Sequence, residues 1–357
     1  MSSVEGQASV EGQASVDGQA LDERQALDAG RASDKVLTAR DLRVEFGLPG
    51  GRTARAVDGV DLDVAPGEIV ALAGESGCGK TTLARTLLGL EPATGGRIAF
   101  GGTPLGRSGK ALKAYRRQVQ LVLQDPSGAL NPRHTVYEAV AEGLRIHGIT
   151  DDEPGRVADA LARAGLRPPE RFFLAYPHEL SGGQRQRVVI AGALVLEPSI
   201  LIADEPVASL DASVRGEILS LLLRLKEDAG LGALVITHDL GLAWSIADRI
   251  AIMYLGRIVE QGPVEQVLTA PRHPYTRALV SVLPDSPVPE PIVLAGELPD
   301  ASRIPGGCRF RPRCQEVASG SALPVLGRCE GEDPGVLGPD GGSHEAACHL
   351  VHARMAA

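Results

Sequence analysis

Hydrophobic positions along the chain fall into short runs separated by helical patterns. Residues 42–46 alternate between apolar and polar, as a half-buried strand does, and residues 56–64 form a second extended stretch. Four further runs are largely apolar, at residues 69–73, 119–123, 200–203 and 234–237. Between them, apolar residues recur at helical spacing, as in Val136, Val140 and Leu144. Buried strands that alternate with helices predict an α/β fold with a parallel sheet.

Both ends of the chain depart from this pattern. Residues 1–32 repeat a hexamer of the SVEGQA type without large core residues, which favours a disordered acidic tail over a β-helix. From residue 283 onward proline and glycine become frequent and the hydrophobic periodicity fades. We therefore predict a tail at 1–35, a folded domain at 36–270 and an irregular, cysteine-rich C-terminal appendix at 271–357.

Composition narrows the class of protein. The net charge of −9 argues against a protein that coats nucleic acid. Hydrophobic residues make up 43% and charged residues 23%, as in soluble globular proteins. The longest uncharged apolar stretch in the middle of the chain, residues 188–196, is far shorter than the roughly 20 residues that span a bilayer. No secretory signal is evident, so we expect a cytosolic protein with reduced cysteines.

The strongest local motif is a glycine-rich loop. Residues 74–81 read GESGCGKT, which fits GxxxxGK[ST], and they lie between an apolar strand and a stretch compatible with a helix. Backbone N–H groups of such a loop converge on phosphate oxygens at a helix N-terminus. Lys80 is expected to neutralise the β- and γ-phosphates, and the Thr81 hydroxyl is expected to bind Mg²⁺. Cys78 occupies a variable position of the motif, where a small filler is favoured over a reactive thiol.

Two carboxylates follow another apolar strand. Asp204 and Glu205 come directly after residues 200–203, so they should lie at the carboxyl edge of the sheet beside the phosphate-binding loop. Alone, such a pair is more typical of a solvated turn. With the loop nearby, Asp204 is expected to hold Mg²⁺ through water, and Glu205 to orient or deprotonate the attacking water.

A second candidate anion site lies at residues 180–184, which read LSGGQ. Ser181 and the two glycines after it open a helical stretch toward Leu194. One chain does not need two such sites for one γ-phosphate. This suggests that the second site faces a nucleotide bound by another subunit.

Together these elements resemble the ATP-binding cassette of ABC transporters, for which LSGGQ is the signature. The resemblance covers about residues 37–283 and implies a P-loop core: a parallel sheet flanked by helices, an N-terminal antiparallel β subdomain and an inserted helical subdomain at about 131–183. It further implies that Gln124 is the Q-loop residue, Asp211 the D-loop residue, His238 the switch histidine and Phe46 the aromatic that stacks on adenine.

The expected site residues follow from the motifs and this resemblance. The catalytic residues are Glu205, His238 and Gln124, and the Mg²⁺ ligands are Thr81, Gln124 and Asp204. The signature residues that act on the partner's ATP are Ser181, Gly182, Gly183 and Gln184. The residues expected to bind ATP are Phe46, Gly74, Glu75, Ser76, Gly77, Cys78, Gly79, Lys80, Thr81, Thr82, Gln124 and Asp204.

A narrower resemblance is carried by segments outside these motifs. They are residues 124–133 (QDPSGALNPR), 176–180 (YPHEL), 253–260 (MYLGRIVE), 273–279 (HPYTRAL) and 307–314 (GCRFRPRC). This set resembles the ATPase subunits of oligopeptide and dipeptide importers, a group that also serves nickel, opines and some sugars. The resemblance implies an energy-coupling ATPase that closes head to tail with a second cassette, either a copy of itself or a paralogue.

The same resemblance implies the other partners and the location. Two transmembrane permease subunits would dock on the helical segment, an external solute-binding protein would act indirectly, and the chain would be peripheral at the cytoplasmic face of the cell membrane. No nucleic acid is expected. A rival class is an accessory ABC-type ATPase of a non-transport enzyme complex, since its cassette can look alike.

Four cysteines lie near the end of the chain. Cys308, Cys314, Cys329 and Cys348 are separated by 5, 14 and 18 residues in a segment rich in proline and glycine. Disulfides are disfavoured in a reducing cytosol, whereas free thiols, Zn²⁺ and a [4Fe–4S] cluster remain open. The resemblance of residues 307–314 to peptide-importer ATPases, some of which carry such a cluster, favours iron–sulfur. Three histidines could serve as spare ligands: His344, His349 and His352. For each of them a surface position is the simpler interpretation.

Overall fold

The structure is a computed structural model that describes residues 35–106, 108–208, 210–284, 286–334 and 343–355. The N-terminal hexamer repeat, predicted to be a disordered tail, lies outside the described residues.

Eleven strands are present in the described ranges, and they form two sheets. The strands are β1 (Leu37–Leu48), β2 (Arg52–Val64), β3 (Ile69–Ala73), β4 (Gly95–Phe100), β5 (Thr103–Pro104), β6 (Val119–Val122), β7 (Ile200–Asp204), β8 (Gly232–Thr237), β9 (Arg249–Tyr254), β10 (Arg257–Pro263) and β11 (Glu345–Ala346).

The central sheet has the order β11-β10-β9-β3-β8-β7-β6 among the described residues. Neighbouring strands from β6 through β9 pair in parallel, whereas β10 and β11 add an antiparallel edge. Every residue of β3 and β8 is buried, as expected of parallel strands covered on both faces. The predicted parallel sheet is therefore confirmed, with strand bounds close to the apolar runs.

The smaller sheet, in the part of the chain that is described, has the order β2-β1-β4-β5 and is antiparallel throughout. It corresponds to the predicted N-terminal β subdomain. Its inner face packs on the helix after the phosphate-binding loop, because Leu42, Val57 and Val60 share one buried cluster with Leu83 and Leu87.

Helices cover the sheets and fill the connections between strands. In the described ranges they are α1 (Lys80–Leu87), α2 (Gly109–Gln118), α3 (Pro126–Ala129), α4 (Val136–His147), α5 (Glu153–Arg163), α6 (Gly182–Leu194), α7 (Ala212–Ala229), α8 (Leu240–Ile246), α9 (Val264–Thr269), α10 (Pro274–Val280), α11 (Gln315–Ala318), α12 (Leu326–Gly331) and α13 (His349–Met355). Short 3₁₀ turns occur at Pro169–Phe172, Pro177–Glu179, Arg311–Arg313 and Leu323–Val325.

The helical segment between the sheet strands has strong local signals. Thr135 caps α4 in a reciprocal capping box with Glu138, and Gly148 closes that helix in the left-handed conformation. Helices α4 and α5 lie within the predicted inserted subdomain at about 131–183. The domain boundaries themselves stay predictions.

The appendix packs against the central sheet and shares its hydrophobic core. Tyr275, Val280 and Phe310 are buried in the same cluster as the central strands, and β11 pairs with β10. A small satellite core under α12 and α13 contains Cys329 and Cys348. Among the described residues, no helix combines the length and the apolar character needed to cross a membrane.

Candidate functional site

The phosphate-binding loop connects β3 to α1 and requires glycine at both ends. Gly74 has φ +152° and Gly79 has φ +113°. A Cβ atom on Gly74 would collide with the carbonyl oxygen of Met253, and one on Gly79 with that of Ala56. The Nζ atom of Lys80 donates to the carbonyl oxygens of Gly74 and Glu75, at 2.7 and 2.9 Å. The loop thus wraps around the lysine that is expected to meet phosphate.

A cavity of about 590 Å³ opens beside this loop. It brings together ten of the predicted site residues, from the loop itself and from the ends of three strands. The lining residues are Ser76, Gly77, Gly79, Lys80, Thr81, Thr82, Gln124, Asp204, Glu205 and His238, together with Ala56 and Ala301. The carboxyl edge of the sheet therefore places both predicted carboxylates beside the loop, at the position where open α/β sheets bind ligands.

Glu205 is held by the two other predicted catalytic residues. Gln124 donates from Nε2 to Oε2 of Glu205 at 3.0 Å, and Nδ1 of His238 lies 3.0 Å from Oε1. Glu205 itself has φ +47°, an uncommon conformation for a residue other than glycine. Its N–H donates to the carbonyl oxygen of Ile236 at 3.0 Å, which ties the turn to β8. A strained backbone supported in this way is typical of functional sites.

Asp204 and Thr81 supply oxygen atoms of the kind that bind Mg²⁺. Burial raises the pKa of Asp204, and a hydrogen bond with Thr81 opposes that shift. Carboxylate and hydroxyl oxygens are the donors that Mg²⁺ prefers, and Gln124 adds an amide oxygen on the same cavity. These side chains fit an ion that would neutralise phosphate charge.

The signature residues lie elsewhere. Ser181 caps α6: its hydroxyl accepts from the Gln184 N–H at 3.2 Å, and its own N–H donates to Oε1 of Gln184 at 2.9 Å. Gly183 packs so closely on α7 that a Cβ atom would collide with Val214. Ser181 and Gln184 are outside the cavity beside the phosphate-binding loop. The signature residues are thus separate from the loop cavity, and their role as a second anion site stays a prediction.

The remaining predicted residues occupy the surroundings of the site. Asp211 caps α7 and accepts from the N–H groups of Ser213 and Val214. Phe46 is 37% exposed and pairs with Ala54, two residues before the cavity-lining Ala56. Cys78 is buried, and this burial raises the pKa of its thiol, which agrees with a filler role.

The four late cysteines converge on one small cavity of about 20 Å³. All five cysteines of the chain are described, and none forms a disulfide. Burial raises the pKa of the Cys308 thiol to about 12 and that of Cys348 to about 11, so both are neutral thiols near neutral pH. Within the described ranges no three histidine, cysteine or carboxylate side chains are grouped closely enough to hold a metal ion.

The expected [4Fe–4S] or Zn²⁺ site is thus not formed by the described residues. Four thiols would suit a soft metal, but the cavity that they line is only large enough for about one water molecule. Two of the spare histidines, His344 and His349, are buried rather than on the surface as expected. His344 lies 2.6 Å from Oε1 of Glu260, and Nε2 of His352 lies 2.7 Å from the carbonyl oxygen of Ala346. His349 lines the cysteine cavity, and among the described residues its buried Nδ1 has no hydrogen-bond partner.

Similarity to known proteins agrees with this geometry. A model described as ABC transporter matches residues 57–208. YkfD of Bacillus subtilis, described as a putative oligopeptide transport ATP-binding protein, is 42% identical over 329 residues, which cover 88% of this chain and 95% of that protein. The chain belongs to the ABC transporter family. It is accordingly an ABC ATPase that uses ATP with Mg²⁺.

Other comparisons extend this assignment. A model of the oligopeptide/dipeptide transporter C-terminal region matches residues 259–320. OppF of Escherichia coli, an oligopeptide transport ATP-binding protein, is 42% identical over 78% of this chain and 88% of its own. The structure of CbiO1 from Clostridium perfringens, part of the ABC transporter complex CbiONQ, is 32% identical with a TM-score of 0.60, over 66% of this chain and 92% of that one.

Sequence reasoning missed the part that the appendix plays at the ATP site. Tyr275 accepts a hydrogen bond from the N–H of Glu75 at 2.9 Å, and Arg313 forms an ion pair with the Glu75 carboxylate. Ala301 also lines the cavity of this ABC ATPase. Tyr275 and Arg313 lie in the segments 273–279 and 307–314, which carry the family resemblance. The sequence feature that could have indicated a contact with the loop is the arginine in a motif that has no other explanation.

Proposed function

We propose that this ABC ATPase is the energy-coupling subunit of an importer for oligopeptides or dipeptides. The observation that carries the proposal is the placement of Glu205 between Gln124 and His238, in a cavity shared with Lys80 and Thr81. In this arrangement Glu205 would orient or deprotonate the attacking water, while His238 would hold the water and γ-phosphate in register.

Four other side chains of the cavity would each act on the bound nucleotide or its metal ion. Lys80 would turn from the loop carbonyls toward the β- and γ-phosphates when nucleotide binds. Thr81, Gln124 and Asp204 would hold Mg²⁺, which neutralises charge that develops on the transferred phosphoryl group. Gln124 would report γ-phosphate occupancy to the helical segment, because its side chain contacts Glu205 and the residue lies two positions before the start of α3.

The second cassette would complete the site. Ser181 and its neighbours lie outside the chain's own ATP cavity, so they are free to face the nucleotide of a partner. The cassette MJ0796 has been described as a dimer bound to ADP and Pi; it is 29% identical with a TM-score of 0.57, over 64% of this chain and 98% of that one. Closure on ATP and reopening after hydrolysis would form the two-state element that drives the permease.

The transported solute is inferred from the appendix and from the relatives. The oligopeptide/dipeptide C-terminal match and the names of YkfD and OppF support peptides. GsiA of Escherichia coli, a glutathione import ATP-binding protein, is 43% identical over 76% of this chain and 46% of its own length. Nickel, opine or sugar import and a non-transport accessory role are the alternatives.

Reconstitution tests the proposal. The chain should copurify with two permease subunits and, in proteoliposomes with a solute-binding protein, hydrolyse ATP faster when dipeptides or oligopeptides are supplied. Stimulation by nickel or a sugar instead of peptides would refute peptide import. Copurification with a soluble enzyme complex and no permease would refute import altogether.

We further propose that the four late cysteines move together to hold a metal centre, iron–sulfur or alternatively Zn²⁺, because the described side chains are not yet grouped closely enough to bind one. The convergence of all four thiols on one cavity supports this, as does the buried Nδ1 of His349 at the same place. Metal analysis of the anaerobically purified chain tests this assignment.

A further inference from the structure

The phosphate-binding loop is tied to the C-terminal appendix by an ion pair across 238 residues of sequence. Both terminal nitrogens of Arg313 donate to the Glu75 carboxylate, at 2.7 and 3.0 Å. Such a two-point contact between guanidinium and carboxylate fixes orientation as well as charge. Glu75 is the second residue of the loop, and Arg313 lies next to Cys314 in the segment 307–314.

Arg313 is itself held in place by the appendix and the core. Its Nε donates to the carbonyl oxygen of Ala295 at 3.1 Å, and its guanidinium lies 5.9 Å from the centre of the Tyr254 ring. The arginine side chain is only 6% exposed. Little side-chain entropy is therefore left to lose when it meets Glu75, in contrast to a surface ion pair.

Glu75 is anchored at three separate groups. Its side chain meets Arg313, its N–H donates to the Tyr275 hydroxyl at 2.9 Å, and its carbonyl oxygen accepts from Lys80 Nζ at 2.9 Å. Two of the three anchors come from residues beyond 271. The conformation of the first half of the loop thus depends on the appendix.

The charge of Glu75 also needs compensation. A carboxylate beside the loop that receives a polyanionic triphosphate would repel it, and the repulsion is strongest where the site is shielded from water. Arg313 meets that charge directly, whereas Lys80 Nζ donates to the carbonyl oxygens of Gly74 and Glu75. Ala301, whose carbonyl oxygen accepts from the Arg55 N–H at 3.0 Å, brings the appendix to the cavity at a second point.

We propose that Arg313 is a positioning residue for ATP binding, which acts through Glu75 by neutralising its carboxylate and holding the phosphate-binding loop in its receptive form. The inference rests on nucleotide binding at this loop and is independent of the solute transported. Arg313 does not line the cavity beside the phosphate-binding loop, so it should change the affinity for ATP rather than the rate of the chemical step.

The experiment measures the Kd of the full-length chain for a fluorescent ATP analogue with Mg²⁺, and KM and kcat of its ATPase. Arg313→Gln should raise Kd and KM about tenfold, equivalent to roughly 1.4 kcal/mol, with little change in kcat. Arg313→Lys, which keeps the charge, should recover most of the affinity. The paired variant Glu75→Gln with Arg313→Gln should also bind more tightly than Arg313→Gln alone, since the unmasked carboxylate is gone.

Arg277→Gln is the matched control. It breaks an ion pair that lies wholly within the appendix, Arg277 with Glu316 at 2.7 Å, and neither residue lines the cavity beside the loop. Equal Kd values for the Arg313→Gln and Arg277→Gln variants would overturn the inference, as would a paired variant no better than Arg313→Gln. If Arg313→Gln reduces the folded fraction, Arg313→Lys and the paired variant carry the same comparison. Failure of the unmodified chain to bind ATP would instead refute the proposed function.

Discussion

The Nδ1 atom of His238 lies 3.0 Å from Oε1 of Glu205, although the two residues follow different strands. The strands β7 and β8 are neighbours and parallel, with Asp204 paired to Ile236. Their carboxyl ends therefore emerge side by side, and the residue after each strand reaches the other. The register of β7 against β8 therefore brings Glu205 and His238 together, and these two residues are proposed to control the attacking water.

Glu205→Gln should separate binding from hydrolysis. The amide keeps the shape of the side chain but cannot accept a proton, so ATP should bind normally while turnover falls by about two to four orders of magnitude. Lys80→Ala should instead weaken ATP binding, because it removes the cation expected at the β- and γ-phosphates. Nucleotide titration and phosphate release measure both. Turnover like that of the unmodified chain in Glu205→Gln would refute the assignment.

Ser181→Arg should block hydrolysis without preventing ATP binding. The arginine would obstruct the face that is proposed to meet the partner's nucleotide, whereas the chain's own cavity lies elsewhere. The ATPase activity per chain of the isolated protein should also rise with protein concentration, because two cassettes must meet.

Thr135→Arg is the control for Ser181→Arg, since Thr135 caps α4 with the same reciprocal capping box and is partly exposed. Both variants lose a cap that contributes about 1 kcal/mol, but only Ser181→Arg should abolish turnover. A dilute, strictly monomeric sample that hydrolyses ATP as fast as the assembled transporter would exclude the shared site.

Much of this site was predictable because its residues lie in short contiguous motifs at strand ends. The loop at 74–81 and the acids at 204–205 each follow an apolar run, and parallel strands bring such ends to one edge. Gln124 and His238 had no local signal and were expected at the site only from the family resemblance, which did not specify their contacts with Glu205.

The contribution of the appendix was not predictable from one sequence for a physical reason. The partners Glu75 and Arg313 are 238 positions apart, and nothing in their local patterns links them. Likewise β11 has two residues, too few to show the period of a strand. Its place is set by pairing with β10 and by the buried contact of His344 with Glu260.

Asp58→Asn should destabilise the fold by leaving Arg309 without its buried partner. Arg309 and Asp58 side chains are 6% and 7% exposed and form an ion pair that joins the appendix to β2. Removing one member of a buried pair costs roughly 3 kcal/mol. Chemical denaturation of the full-length chain measures the loss, and Asp63→Asn, whose pair with Arg40 is about 40% exposed on both sides, should lose far less. Equal losses would contradict the prediction.

The same ion pair predicts a pH dependence. Burial would raise the pKa of Asp58, but the hydrogen bond and charge of Arg309, with Arg257 and Arg55 nearby, hold it below its ordinary value of 3.8. Because the folded pKa is the lower one, the pair stabilises the fold fully above that ordinary value, and the contribution is lost as pH falls through the folded pKa. Stability measured between pH 6 and 3 should fall less steeply in Asp58→Asn. Parallel curves would rule out this contribution.

Cys308→Ser tests whether the late thiols hold a metal. If the four cysteines bind an iron–sulfur cluster, the anaerobically purified chain should be brown and contain about four irons, all lost or reduced in the variant. Zinc at one ion per chain without iron would support the alternative metal. Cys78→Ala, which removes a buried cysteine outside the late group, should leave the metal content unchanged. If the unmodified chain binds neither metal and Cys308→Ser melts at the same temperature, the four thiols pack as neutral core groups and no metal holds the appendix together.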